Sequence, residues 1–176
     1  HCKTRRQRQM CIRDRYWGGQ YNHDWADYDN DGDLDLVSGG ISIFDNTNYL
    51  TIFKNNNGIL SKDTTQTDLI PLFPCALIWI DINGDNYKDL LTLGRLQLNG
   101  VSHMYINDGM GKLIKSSDQP FEIPSILHAI SVGDHNSDGY DDIAIAHLNG
   151  TEMHTNIYTN ESVSYTHLRA HETIRH

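Results

Sequence analysis

Aspartate and asparagine residues recur at odd positions in three short segments of this 176-residue chain. The segments begin at Asp27, Asp81 and Asp134 and read DYDNDGDLD, DINGDNYKD and DHNSDGYDD. Positions 1, 3, 5 and 9 of each segment carry a side-chain oxygen. Odd spacing in a tightly curled loop turns such oxygens toward one centre, and Ca²⁺ takes about 6–8 oxygen ligands. The segments therefore predict three Ca²⁺-binding loops.

The predicted ligands are the four side chains of each loop and the backbone carbonyl at position 7. Water, or a bidentate carboxylate at position 9, would complete the coordination shell. Mg²⁺ fits less well because it requires stricter octahedral geometry and keeps its waters. The predicted ligand residues are Asp27, Asp29, Asp31, Asp33 and Asp35 in the first loop, Asp81, Asn83, Asp85, Tyr87 and Asp89 in the second, and Asp134, Asn136, Asp138, Tyr140 and Asp142 in the third.

Position 6 of each loop must allow a sharp turn. Gly32 and Gly139 occupy it in the first and third loops, and glycine adopts a positive φ without steric cost. The second loop has Asn86 there, with Gly84 at position 4. Asparagine tolerates a positive φ less easily than glycine. We therefore expect the second loop to be the most distorted or the weakest site.

Two other interpretations of the loops are weaker. A single DxDxDG run could be a solvated turn, but three in register, each followed by an apolar strand, disfavour that reading. Clustered carboxylates also repel one another unless an ion neutralises them. An EF-hand or dockerin loop needs an acid at position 12 and a following helix. Position 12 is Ser38, Thr92 and Ile145, and the flanking segments are β-like.

The loops belong to a longer internal repeat. Their first aspartates are 54 and 53 residues apart, and the segments Phe53-Lys54-Asn55, Tyr105-Ile106-Asn107 and Tyr158-Thr159-Asn160 recur in step. Each loop lies between two short apolar stretches, and an aromatic-containing strand and a weaker fourth strand follow. Four short strands in a unit of about fifty residues are typical of a propeller blade. The sequence predicts an all-β fold, a partial β-propeller of about three four-stranded blades.

The repeat also divides the chain. Blade 1 is assigned to 16–72, blade 2 to 73–124 and an incomplete blade 3 to 125–162. The three tryptophans of blades 1 and 2, Trp17, Trp25 and Trp79, are predicted to pack between sheets. Because a closed propeller has typically about 4–8 blades, we expect the chain to be a fragment of a larger ring.

The two ends, 1–15 and 163–176, read as sequence of a different origin. The string RRQRQMCIRDR can be encoded by DNA containing AGATGTGTATAAGAGACAG. The DNA that encodes VSYTHLRAHET can begin with the reverse complement of that stretch, with CT placed before its first codon, GTC. One inverted DNA element explains both ends, which resemble translated sequencing adapter. The alternative is a basic N-terminal arm for nucleic acid and a His-rich C-terminal metal tail, which leaves the complementarity to chance.

The charge of the chain depends on those ends. The whole chain has a net charge of −9, and the ends hold 8 of its 14 basic residues but only 2 of its 23 acidic ones. The remainder, 16–162, has 6 basic and 21 acidic residues and a net charge of −15. Such a segment repels nucleic acid and anionic membrane surfaces. No apolar run reaches the 18 residues or so that a membrane crossing needs, so neither nucleic acid nor direct membrane insertion is expected.

The pattern DxDxDGxxD followed by an apolar strand resembles the FG-GAP/VCBS repeats of integrin-α-like β-propellers, and IFKNNNGIL resembles their outer strands. The resemblance covers about 21–162. It implies that each loop joins the first and second strands of a blade and that the loop positions given above bind Ca²⁺. Two features depart from the family pattern: the string FG-GAP itself is missing, and the second loop reads DxNGD.

The resemblance implies an extracellular or cell-surface binding or adhesion module, whose partner is a protein or carbohydrate held by the intact propeller. Two alternatives are the propeller part of a carbohydrate-active enzyme and a structural repeat of a large surface protein. The acids of this chain are committed to the predicted calcium loops, which disfavours catalysis within it.

Overall fold

The computed structural model describes residues 22–42, 44–96, 99–117, 126–149, 151–160 and 169–175. In this part of the chain all regular structure is β, in three antiparallel sheets of four strands each. The first sheet contains β1 (Asn22–Ala26), β2 (Asp35–Ile41), β3 (Asn48–Asn56) and β4 (Ile59–Lys62). The second contains β5 (Phe73–Ile80), β6 (Asp89–Leu96), β7 (Asn99–Asn107) and β8 (Leu113–Lys115). The third contains β9 (Ile126–Gly133), β10 (Asp142–Asn149), β11 (Glu152–Thr159) and β12 (Arg169–Arg175).

Each sheet is one blade, with its strands side by side in chain order. In every blade the aspartate loop joins the first strand to the second, as the family resemblance implies. A two-residue turn at Asn57 and Gly58 joins β3 to β4, and both residues have a positive φ. That geometry matches the right-handed twist of a hairpin. The prediction of an all-β fold, a partial β-propeller of about three blades, is confirmed.

The fourth strand of blade 3 was not expected. The repeat pattern predicts that this blade stops before its last strand, whereas β12 pairs antiparallel with β11 from Arg169 to Arg175, with a register shift between Ile157 and Tyr158. Pairing at the outer edge of a sheet uses backbone N–H and C=O groups, so an extended segment of almost any sequence can add a strand there. The pairing of β12 therefore does not test the predicted adapter origin of 163–176, which stays a prediction. The other end, 1–15, lies outside the described residues.

The central blade is buried on both faces because it lies between the other two. Along β6, Leu90, Leu91, Thr92 and Leu93 are all fully buried. Side chains of a strand alternate between its faces, so Leu90 packs in the core between blades 1 and 2 while Leu91 and Leu93 pack between blades 2 and 3. A continuous apolar run is the pattern that a strand covered on both sides requires.

The core between blades 1 and 2 centres on an aromatic pair. The rings of Tyr28, in the first loop, and Trp79, on β5, stack with centroids 5.3 Å apart and an interplanar angle of 13°. Val37 and Ile52 of blade 1 complete this cluster from the other side. Trp79 therefore packs between sheets as predicted. Trp25 is 50% exposed, on the face of blade 1 opposite Val37, and Trp17 lies outside the described residues.

A second core joins blades 2 and 3 in the same way. Ile82, the loop residue equivalent to Tyr28, packs there with Ile143 and Tyr158 of blade 3. Val132 occupies the place in blade 3 that Trp79 occupies in blade 2, because each lies opposite the second residue of the next strand. The two interfaces thus repeat one arrangement with different side-chain volumes.

We predict that Trp79→Ala will destabilise the chain by about 3–5 kcal/mol, because it removes the ring that fills the core between blades 1 and 2. Urea denaturation followed by circular dichroism measures the change. Phe44→Ala is the matched control, since Phe44 is 94% exposed and its loss should change stability by less than about 0.5 kcal/mol. Equal effects of the two substitutions would contradict the packing described here.

Candidate metal centre in the aspartate loops

The three loops share one backbone path. In each, positions 4 and 6 have a left-handed backbone with positive φ: Asn30 and Gly32, Gly84 and Asn86, and Ser137 and Gly139. The positive φ at position 6 was predicted from the sequence, whereas the positive φ at position 4 was not. Two left-handed residues with one residue between them curl the chain tightly, which brings positions 1 and 9 close together.

The aspartate at position 1 organises its own loop. Asp27 accepts hydrogen bonds from the N–H groups of Asp31 (3.0 Å) and Gly32 (2.9 Å). Asp81 accepts the same two bonds from Asp85 (3.1 Å) and Asn86 (2.8 Å). Asp134 repeats the pattern with the N–H groups of Asp138 and Gly139. The side chain predicted as the first metal ligand therefore also fixes the turn that presents the others.

The second loop keeps this pattern in spite of its altered sequence. Asn86 adopts φ 67°, close to the left-handed values of its neighbours in the repeat, and Gly84 at φ 72° supplies the turn at position 4. The backbone of this loop is therefore not distorted relative to the other two, contrary to one form of the expectation. A lower ion affinity for it stays a prediction.

The aspartate at position 9 is buried and holds three pieces of backbone together. Asp35 and Asp89 are fully buried and Asp142 is 2% exposed. One oxygen of each carboxylate accepts the N–H of loop position 2, in Tyr28, Ile82 and His135. The other oxygen accepts the N–H of the asparagine at the end of the third strand, at 2.8 Å in every blade. Those asparagines are Asn55, Asn107 and Asn160.

Burial changes the acidity of these carboxyl groups. Loss of solvation raises the pKa of Asp35 to about 6 and that of Asp89 to about 7, although their backbone hydrogen bonds act in the opposite direction. Burial alone would also raise the pKa of Asp142, but the hydrogen bonds from Asn160 and from the His135 ring outweigh it and lower that pKa. The His135 Nδ1 lies 2.5 Å from Asp142 Oδ2.

The first loop gathers a set of acidic oxygens suited to a cation. Asp27, Asp29 and Asp35 each offer a carboxylate oxygen within 4.8 Å of the other two. The Oδ1 atom of Asp29 is buried and has no hydrogen-bond partner among the described residues. An unpartnered buried carboxylate oxygen is costly unless a cation neutralises it. These three residues therefore fit a hard metal cation, which prefers oxygen ligands.

One internal cation already lies beside this set. The ammonium of Lys54 is 3.1 Å from Asp29 Oδ2 and 5.5 Å from the centre of the Tyr28 ring. The equivalent residues in blades 2 and 3 are Ile106 and Thr159, which carry no charge. In the first loop, the lysine therefore contacts one of the four predicted carboxylate ligands. At the third loop, Lys88 of the second loop lies 3.5 Å from Asp141 Oδ2, at a position that is not a predicted ligand. No signal in the repeat pattern pointed to Lys54.

The remaining predicted ligands lie in the loops but have other partners. Asp31 and Asp33 accept hydrogen bonds from the N–H groups of Asp33 and Asn57, so Asp33 links its loop to the turn between β3 and β4. In the second and third loops the amides of Asn83 and Asn136 bond to the position-5 carboxylates of Asp85 and Asp138. Tyr87 and Tyr140 donate their backbone N–H groups to those same carboxylates. Ligand roles for these residues stay predictions.

The recurrent asparagines also join neighbouring blades, a role that the sequence analysis did not foresee. The side-chain amide of Asn107 donates to the carbonyl of Tyr28 (2.7 Å) in the first loop. The amide of Asn160 donates to the carbonyl of Ile82 (2.9 Å) in the second loop. We call these two bonds the blade latches. Each latch ties the aspartate loop of one blade to the end of the third strand in the next.

Repeated blades with an aspartate loop between their first and second strands define a repeat protein of the β-propeller class. The FG-GAP-like repeat family matches residues 27–92 and 81–145, more than half of the chain. The chain belongs to the FG-GAP-like repeat family, as its resemblance predicted.

No curated protein matches this chain. In the described residues, no helix has the length and apolar character that crossing a membrane requires.

We predict that Asn107→Asp will destabilise the chain by at least about 2 kcal/mol, because a carboxylate cannot donate to the carbonyls of Tyr28 and Lys88. Asn56→Asp is the matched control, since it adds the same charge at an exposed position one residue after Asn55, the equivalent asparagine of blade 1. Chemical denaturation measures both. A loss no larger for Asn107 than for Asn56 would show that the latch contributes nothing.

The raised pKa values of Asp35 and Asp89 predict how metal-free stability depends on pH. The folded chain holds the protons of these groups more tightly than the unfolded chain, so the stability they confer is complete below about pH 4 and is lost as pH rises through 6 to 7. The opposite contribution of Asp63 and Asp142, whose pKa values are lowered, is already complete above about pH 4. Burial also lowers the pKa of His103, so this one group favours stability as pH rises toward about 6.5 and offsets part of the loss from the two aspartates. The denaturant concentration at the unfolding midpoint, measured in EDTA, should therefore decrease as the pH is raised from about 4.5 to about 7.5. An increase over this range would contradict the raised pKa values of Asp35 and Asp89.

Proposed function

We propose that this chain is a calcium-stabilised repeat module that acts outside the cell as a binding or adhesion unit. The observation that carries the proposal is the acidic set of Asp27, Asp29 and Asp35, with its unpartnered buried oxygen. Membership of the FG-GAP-like repeat family supports it. The repetition of the same loop in blades 2 and 3 extends the proposal to three ions.

Calcium suits this donor set better than the softer metals. All the donors are carboxylate, amide or carbonyl oxygens, which are the ligands of hard cations. The side chains of Asp27, Asp29 and Asp35 would hold the first ion, and the corresponding residues of the second and third loops would hold the others. The bound ion supplies positive charge that neutralises the clustered carboxylates, so its binding energy adds to the stability of the folded blade.

The proposed location follows from the strength of such sites. Each loop binds through a small number of carboxylates in an exposed turn, and sites of extracellular modules bind Ca²⁺ with dissociation constants of about 10⁻⁴–10⁻³ M. Ions at that affinity stay bound outside the cell, where calcium is abundant. The partner of the intact propeller would be a protein or a carbohydrate, which a glycan array and a cell-surface protein panel can separate.

A structural role in a large surface protein is the second candidate. The blade latches favour it, because they tie each aspartate loop to the packing of the next blade. An ion in such a loop would stabilise the blade interface whether or not any face of the propeller holds a ligand. A chain that binds calcium but no glycan or protein would support this candidate over the first.

We predict that Asp29→Asn will remove one Ca²⁺ site and lower the calcium-dependent gain in thermal stability. A ligand at about 100 times its dissociation constant stabilises a protein by about 2.7 kcal/mol, so the loss of one site is measurable. Titration calorimetry gives the stoichiometry, and melting curves in Ca²⁺ and in EDTA give the stability. Asp68→Asn is the matched control, because it removes the same charge at an exposed position between β4 and β5. If the unaltered chain shows neither heat of binding nor any change of melting temperature, the proposal is wrong.

A further inference from the structure

The two outer blades each leave one sheet face uncovered by the described residues. On blade 1 this face carries Trp25, Leu36 and Phe53, which lie opposite one another on β1, β2 and β3. Trp25 is 50% exposed and the other two are half-buried. On blade 3 the uncovered face holds a groove of about 250 Å³, lined by residues that include Ser131, His135, Ala144 and Ile157.

The two uncovered faces are equivalent to the two faces that meet between neighbouring blades inside the chain. The face of blade 1 corresponds to the one that packs on the preceding blade, and the face of blade 3 corresponds to the one that packs on the following blade. Trp25 lies opposite Leu36, just as Trp79 lies opposite Leu90 and Val132 opposite Ile143. It therefore occupies the position whose side chain packs onto the preceding blade. The groove of blade 3 lies on the face that receives such a side chain, since His135 is the loop residue equivalent to Tyr28 and Ile82.

The aromatic pair between blades 1 and 2 shows what the groove of blade 3 could accept. Tyr28 is fully buried, and the Trp79 ring stacks on it with centroids 5.3 Å apart. The His135 side chain is 45% exposed and has no ring stacked on it in the described part of the chain. A tryptophan from another blade with the same register would cover His135 as Trp79 covers Tyr28.

Hydrogen-bonding groups at the two faces are complementary as well. Asn107 donates to the carbonyls of Lys88 and Tyr28, whereas Asn55 in the same position of blade 1 donates only to Leu34 among the described residues. One N–H of the Asn55 amide is thus left over. At the other end, no described residue donates to the carbonyl of His135, which is the acceptor that a third latch would use.

We propose that two copies of this chain associate head to tail, with blade 1 of one copy packed on blade 3 of the other. Trp25 enters the groove over His135, and the Asn55 amide donates to the His135 carbonyl. Because each copy has one face of each kind, the contact is heterologous and either closes a ring of two copies or continues as a chain. The proposal extends the interface already present twice in the chain, and it does not depend on the proposed calcium sites.

Sedimentation velocity over a wide concentration range tests the association, in buffer with calcium. The unaltered chain should form dimers or larger assemblies as concentration rises. Trp25→Glu and Ile157→Glu should each raise the dissociation constant by at least about 30-fold, since each places a charge at the centre of the contact. Met110→Glu is the matched control, because Met110 is 88% exposed in the turn between β7 and β8 of the middle blade.

Mixing the two variants makes the test specific to a head-to-tail contact. Trp25→Glu keeps the groove of blade 3 and Ile157→Glu keeps the face of blade 1, so each alone should be monomeric and an equimolar mixture should form a one-to-one dimer. A symmetric contact would instead leave one variant self-associating and would overturn the proposal. A chain that stays monomeric at every concentration would overturn it too.

Folding of the variants is checked independently. Circular dichroism and melting temperature should match those of the unaltered chain at a concentration where all are monomeric. If Trp25→Glu fails to fold, Trp25→Ser removes the same ring without adding a charge, and it should still weaken the association while Met110→Ser does not. Equal association of these two serine variants would contradict the role of Trp25.

Discussion

A buried carboxylate that accepts two backbone N–H groups is the interaction on which the rest of this structure depends. Asp35, Asp89 and Asp142 repeat it once per blade. Each holds the start of its loop, through position 2, against the end of the third strand. A carboxylate can be buried at this depth only if its oxygens are satisfied. The loop, the second strand and the third strand are therefore fixed relative to one another by a single side chain.

From that anchor the order of the blades follows. The asparagine whose N–H satisfies the carboxylate has its side chain directed at the neighbouring blade, where Asn107 reaches Tyr28 and Asn160 reaches Ile82. The same loop residue carries the side chain that packs into the core between blades. Polar and apolar contacts of one loop thus converge on one neighbour. An ion bound in the loop would also stabilise the contact between blades, because Tyr28 and Ile82 lie between positions 1 and 3 of their loops.

Much of the fold could be predicted from the sequence, because the periodic features are local. The three loops, the positive φ at position 6 and the four-strand unit follow from spacing alone. The double role of Asn107 could not, since its partner Tyr28 lies 79 residues earlier in another blade. The recurrence of these asparagines was visible, but a recurrence does not state which atoms meet. Lys54 was missed for the opposite reason, because it occurs in one repeat only.

The fourth strand of blade 3 shows a different limit. Side-chain patterns predict strands whose faces are buried, whereas β12 pairs through backbone groups that every residue possesses. Edge pairing of this kind has little dependence on sequence. The candidate site has a related limit. The oxygen-bearing residues of the loops could be predicted from the sequence, but the hydrogen-bond partners of each carboxylate could not. Asp29, for example, keeps one oxygen without a partner among the described residues.

The two-sided burial of the central strand has a consequence for synthesis of the chain on the ribosome. Among the described residues, blade 3 covers Leu91 and Leu93 of β6, and it is made after them. At about 5–20 residues per second, a unit of some fifty residues takes roughly 3–10 seconds to appear. During that interval the newest blade exposes an apolar face that has no partner yet. Each blade in turn is therefore completed by the translation of its successor.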